Sequence, residues 1–116
     1  MDWKNNFKQE IDMASAARAR GNEGQARVCA RRAAGVVARE YFQRLGRPLH
    51  NPSAYDLLME LLTVDDLPEL ARQSLQNLTQ RVTEEFKLPE GIDLLLEARS
   101  LAASLLPQDW PSHITI

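Results

Sequence analysis

Glycine and proline cut this chain into segments, and the apolar residues between the cuts recur at helical spacing. Gly21, Gly46, Pro48, Pro52, Pro68, Pro89, Gly91 and Pro107 are the punctuation. In the first segment Trp3, Phe7, Ile11, Ala14 and Ala17 step by four, four, three and three, which is one face of a helix. In the second, Ala26, Cys29, Ala30, Ala33, Val36 and Val37 form a stripe, with Ala30, Ala33, Ala34 and Gly35 small enough to let a neighbouring helix come close. Asn22 followed by Gln25 predicts a capped start for this second helix. Gly46 stops it near Leu45, and Pro48 prevents an immediate restart.

The remaining segments follow the same logic. Asn51-Pro52 predicts a helix start, with Tyr55, Leu58, Met59 and Leu62 along one side. Asp66, three residues before Glu69, predicts the cap of a longer helix whose stripe is Leu70, Leu75, Leu78, Val82 and Phe86. After Pro89-Glu90-Gly91, the residues Ile92, Leu95, Leu96, Arg99, Leu101, Ala102 and Leu105 predict a last helix closed by Pro107. No strand pattern occurs, and Ala and Leu outnumber Ile and Phe, which favours helix over sheet. The expectation is an all-α fold, an antiparallel up-down four-helix bundle with one additional short helix. Its domain is 1–106, followed by an extended tail, 107–116, with Trp110 docked.

Charge is unevenly placed. From Arg18 to Arg47 there are eight Arg and two acids, a net of +6; from Asn51 onward there are four bases and eleven acids, a net of −7. Two readings stay open. The asymmetry marks a phosphate-binding face, or basic and acidic helices face each other within one chain or across a dimer. The phosphate-binding candidates are Arg27, Arg31, Arg39 and Arg44, expected to share one surface of the second helix; Arg32 is displaced toward the apolar side and expected to pair internally.

Other chemistry is thin. One cysteine, Cys29, allows no disulfide within the chain and suits a reducing cytoplasm. With His50 and His113 as the only histidines, a zinc site of the usual types lacks ligands, so no metal and no cofactor is expected. Neither a signal peptide nor a membrane span is expected. Asp65/Asp66 and Glu84/Glu85 are adjacent pairs that diverge on a helix. Arg44 and His50 together could hold a phosphate and move a proton in a metal-independent ribonuclease. However, Gly46 and Pro48 lie between them, so the pair sits on a loop that positions catalytic groups poorly. His50 reads better as part of the corner.

Three stretches carry a family resemblance: AARARGNEGQARVCARRAAGVVAREYFQRLG (16–46), LHNPSAYDLLMELL (49–62) and EGIDLLLEARSLAASLL (90–106). An amphipathic helix, a polar turn, an Ala-rich helix, a His ahead of a leucine pair, and a last helix with Glu97-Ala98 together resemble the HEPN family over residues 3–106. The resemblance implies an up-down four-helix bundle, a homodimer, a nucleotidyltransferase-type protein partner and a toxin–antitoxin-like setting. Catalytic members are metal-free ribonucleases with an Arg, four to six residues, and a His late in the domain. The matching place here, RVTEEFKLPEG from Arg81, has no His, and His50 matches the family's earlier His. The resemblance thus implies a non-catalytic module binding a nucleotide, RNA or a protein partner. The alternatives are a helical scaffold without nucleotide binding, since 16–46 also resembles a single tetratricopeptide helix pair, and the ribonuclease using Arg44 and His50.

Overall fold

The computed structural model describes residues 3–47, 53–80 and 91–107. They form five helices: α1 (Trp3–Ala19), α2 (Glu23–Arg44), α3 (Ala54–Leu61), α4 (Glu69–Leu78) and α5 (Leu94–Leu105). Among the described residues there is no strand.

The first two helices follow the sequence closely. All five stripe residues of α1 are buried, from Trp3 to Ala17. Its end is a Schellman turn: Gly21, at φ 82°, donates to Arg18, and Asn22 donates to the Ala17 carbonyl. The Asn22 side chain then accepts from the Gln25 amide and starts α2. The same device closes α2. Gly46, at φ 72°, donates to Gln43, and Arg47 donates to Phe42.

Helix α2 is buried more widely than one stripe. Besides Ala26, Cys29, Ala30, Ala33 and Val37, it buries Ala34, Gly35, Ala38 and Phe42, while Val36 stays partly open. The cause is its position, with α1, α3 and α5 all packed on it. Small side chains on several faces are what such a position requires. Helix α3 comes close at Gly35, where a Cβ would lie 2.9 Å from the Ala54 Cβ.

The later helices depart from expectation in their caps and in part of their buried faces. Helix α3 starts at Ala54 with Ser53 as its cap, the Ser53 hydroxyl accepting from the Asp56 amide. Asn51 and Pro52 lie outside the described residues, and Ser53 replaces Asn51 as the capping residue. The buried face of α3 is Leu57, Leu58 and Leu61, while Met59 is exposed. The leucine pair Leu57-Leu58 turns this helix by one position relative to the predicted stripe.

Helix α4 has Pro68, not Asp66, at its cap position, with no side-chain cap bond. It buries Ala71, Ser74, Leu75 and Leu78, and leaves Leu70 65% exposed. Leu75 and Leu78 are buried as the stripe predicts, but the small Ala71 and Ser74, not Leu70, complete the face. The expected continuation through Val82 and Phe86 lies outside the described residues. Helix α5 begins after Asp93, whose carboxylate accepts from the Leu95 amide. It buries Leu94, Leu95, Ala98, Leu101, Ala102 and Leu105, with Leu96 exposed. The tail beyond Pro107, with Trp110 and His113, lies outside the described residues.

Candidate functional site

The four arginines chosen on α2 do not share one surface. At about 100° per residue, Arg39 lies about 120° from Arg27, and Arg44 about 100° away on the other side. Their surroundings differ accordingly. Arg31 turns toward α4: its Nε donates to the Leu78 carbonyl at 2.9 Å and a terminal nitrogen donates to Gln80 at 3.2 Å. These carbonyls belong to the last turn and exit of α4, where the helix leaves acceptors without intrahelical donors and the dipole favours a cation. Burial, then the nearby Arg27 charge, holds the Arg31 pKa below the usual guanidinium range. Arg31 therefore acts as a helix cap supplied from another helix.

Arg72 does the same for α3, donating to Leu62 at 3.2 Å and Val64 at 3.0 Å. Arg27 reaches Glu23 one turn earlier at 4.0 Å, and its side chain is mostly buried. Arg44 donates to Glu40 at 2.9 Å. Arg39 is exposed and makes no hydrogen bond or ion pair among the described residues.

Arg18 carries the strongest network. Its guanidinium reaches Glu23 at 2.7 Å and Asp93 at 3.1 Å, tying the α1–α2 corner to the cap of α5. The Arg18 hydrogen bond holds the Glu23 carboxyl below the usual carboxylate range, against the opposing effect of burial. The same hydrogen bond to Glu23, opposed by burial and helped by Asp93, raises the Arg18 pKa. Arg47 approaches Glu60 at 3.8 Å and stacks 4.9 Å over the Phe42 ring. Of the two readings of the charge asymmetry, contact between the halves is thus visible, among the described residues as two ion pairs and one set of carbonyl bonds. Among the described residues the acids inside the basic segment, Glu23 and Glu40, pair with three of its arginines, Arg18, Arg27 and Arg44, while carboxylates of the acidic half pair with two, Arg18 and Arg47.

Two adjoining grooves open on α2. The larger, about 460 Å³, is lined by Trp3, Asn6, Gln9 and Glu10 of α1 and by Val36, Arg39, Glu40 and Gln43 of α2. One Glu10 carboxylate oxygen is buried here without a hydrogen-bond partner. The smaller lies between α2 and α3, with Val36 and Arg39 common to both. Arg32, expected to pair internally, is instead 55% exposed at this second groove, and among the described residues its ion pair is with Glu10 at 4.0 Å. The signal that could have found it is the seven-residue step to Arg39, which places both on one side of a helix.

The Arg44–His50 pair cannot be placed, because His50 lies outside the described residues. Arg44 itself lines a different, largely apolar pocket of about 350 Å³ with Tyr41, Leu45, Ser104, Leu105, Leu106 and Pro107. Among the described residues no three His, Cys, Asp or Glu side chains gather as a metal site. Cys29 is a buried free thiol next to the Gln25 amide nitrogen at 3.5 Å. Among the described residues, no helix is long and apolar enough to cross a membrane. No family model, curated protein or solved structure matches the chain.

Proposed function

We propose that this chain is a non-catalytic helical module that binds another protein. Its helices α1, α2, α4 and α5 would form an antiparallel up-down bundle, with α3 as the additional short helix. The observation that carries the reading is the fate of the arginines. Arg18, Arg31 and Arg44 are held by hydrogen bonds to the protein's own groups and Arg27 is mostly buried beside Glu23, while Arg32, which Glu10 approaches only to 4.0 Å, and Arg39 remain exposed beside an apolar-floored groove. Cations bound to the protein's own carboxylates and carbonyls are weak phosphate ligands, because those partners must first be displaced.

The HEPN likeness rests on the residues quoted for it. On that likeness the protein partner would be a nucleotidyltransferase-type protein or a second copy of the chain in a homodimer. The lone thiol of Cys29 fits a cytoplasmic setting. One observation favours a second reading, nucleotide or RNA binding: the exposed Arg39 carries no partner among the described residues.

The test has three parts: affinity capture from cell extract with light scattering on the eluted complex, titration with ATP and an oligoribonucleotide, and RNA incubation in chelator. A stoichiometric protein complex, no saturable nucleotide binding and no cleavage are expected. A monomer that captures no protein and saturates with nucleotide would replace the first reading by the second. Cleavage lost in His50→Ala would establish the ribonuclease.

A further inference from the structure

Arg32 and Arg39 stand two helical turns apart, about 10 Å along one side of α2. Between them lie Gly35 and Val36, and with Ala54 and Leu57 of α3 these six residues line a groove of about 180 Å³. Its floor is apolar, its rims are two guanidinium groups, and no carboxylate lines it. Among the described residues Arg32 approaches one acid, Glu10, and only to 4.0 Å.

We propose that this groove docks an acidic segment of the partner protein, two carboxylates meeting Arg32 and Arg39 with a small apolar side chain over Val36. The proposal rests on the protein-binding reading and names the chemistry of that partner. Charge complementarity selects the occupant. A guanidinium presents parallel donors that match a carboxylate, and a site short of acids favours an anionic guest.

The same observations weigh against phosphate-bearing guests. A nucleic acid draws its affinity from many phosphates neutralised along a basic track. Here two cations stand beside Glu10 and Glu40 of the adjoining groove. A nucleotide base would find no aromatic side chain among the six lining residues to stack on. The volume is also below the roughly 300–1,000 Å³ of small-molecule pockets, and closer to one or two side chains.

The probe is the capped peptide Ac-Gly-Glu-Ala-Val-Glu-Gly-NH2, with a control in which both Glu are Lys. Each is titrated at low salt into the isotope-labelled full chain. Amide shifts at Gly35, Val36, Arg39, Ala54 and Leu57 are expected to saturate with the Glu peptide alone. Arg32→Gln and Arg39→Gln are each expected to weaken binding about fivefold, as loss of one exposed charge pair implies. Both side chains are exposed, and an unchanged thermal melt verifies the fold of each variant. The proposal is overturned by no saturable shift, by equal shifts with the Lys peptide, or by stronger shifts at the same residues with AMP or an oligoribonucleotide. Capture of a protein partner at wild-type strength by the Arg32→Gln/Arg39→Gln double variant removes the groove and leaves the protein-binding reading standing. A wild-type chain that captures nothing removes that reading itself.

Discussion

Single side chains here act mainly on the ends of helices. Arg31 is the clearest case, since it crosses from α2 to close the carbonyls of Leu78 and Gln80. Hydrogen bonds involving a charged group contribute about 1.5–3 kcal/mol, and leaving buried acceptors unmet costs about 1–3 kcal/mol. Arg31→Met is therefore expected to destabilise by about 2 kcal/mol in urea unfolding. Arg31→Lys should recover only part, because an ammonium cannot place two donors in the guanidinium geometry. Full recovery by Lys would reduce Arg31 to a point charge. Glu23 makes a pH-dependent contribution. Its pKa is lowered in the folded state, chiefly by the Arg18 hydrogen bond. Its contribution is then complete above the unfolded carboxyl pKa and is lost as pH falls through the lower folded value. Glu23→Gln should cost about 0.5–1 kcal/mol at neutral pH, a range set by the partial exposure of both partners. The difference from wild type should shrink steadily below the ordinary Glu pKa of about 4.3. A gap that stays constant down to the acid transition would refute this.

Among the elements, the α2–α3 crossing leaves no room for a side chain at Gly35. Alanine is the better helix former by about 1 kcal/mol, so Gly35→Ala would stabilise an isolated α2. In the folded chain the new methyl would lie 2.9 Å from the Ala54 Cβ and 3.2 Å from its Cα. Overpacking of this kind costs about 1–3 kcal/mol, which outweighs the propensity. A net loss of about 1 kcal/mol is expected. Ala54→Gly added to Gly35→Ala should restore part of it in a double-mutant cycle, and additive losses would place the strain elsewhere. The crossing also shows what the sequence could say. The cluster of small residues at 30–35 announced that some helix comes close; which one, and at which residue, depends on the path of the chain between α2 and α3. Helices α1 and α2 were legible because one large apolar stripe and a glycine stop agree at each end. Helix α3 was misread in register because the paired leucines Leu57-Leu58 set its buried face; on α4 Leu75 and Leu78 are buried as expected, but the small Ala71 and Ser74 complete the face in place of Leu70. Large residues such as Leu70 and Met59 face outward there. Apolar size tracks burial only where the neighbouring helix leaves room for it.

For the whole molecule, the question is whether the +6 and −7 segments hold each other as blocks or only at contacts. The molecule extends 39 × 31 × 25 Å, whereas exposed charges are screened beyond about 8 Å at physiological salt. Net charge cannot act across such distances, so the attraction must reside where side chains meet. Among the described residues these cross-segment ion pairs are Arg18–Asp93 and Arg47–Glu60. This is also why the candidate site was only half legible. Sequence counts gave the basic segment, but a charge becomes available to a partner only when its own neighbours leave it unanswered. Arg31 turned inward to carbonyls that sequence spacing cannot locate, while Arg32 turned outward. Asp93 separates the two contributions in one residue, since it caps α5 through the Leu95 amide and also receives Arg18. Asp93→Ala removes both, about 1 kcal/mol for the cap and up to about 1 kcal/mol for a partly exposed pair. Asp93→Asn keeps a capping oxygen and loses only the charge, so it should cost about half as much. If the halves interact only at contacts, raising NaCl from about 0.15 M to about 1 M should lower the melting temperature of the wild type by no more than about 4 °C. The Asp93→Asn variant should lose less than the wild type over the same range. A fall far beyond that, unchanged in Asp93→Asn, would mean that the basic and acidic segments attract collectively and that the contact account is wrong.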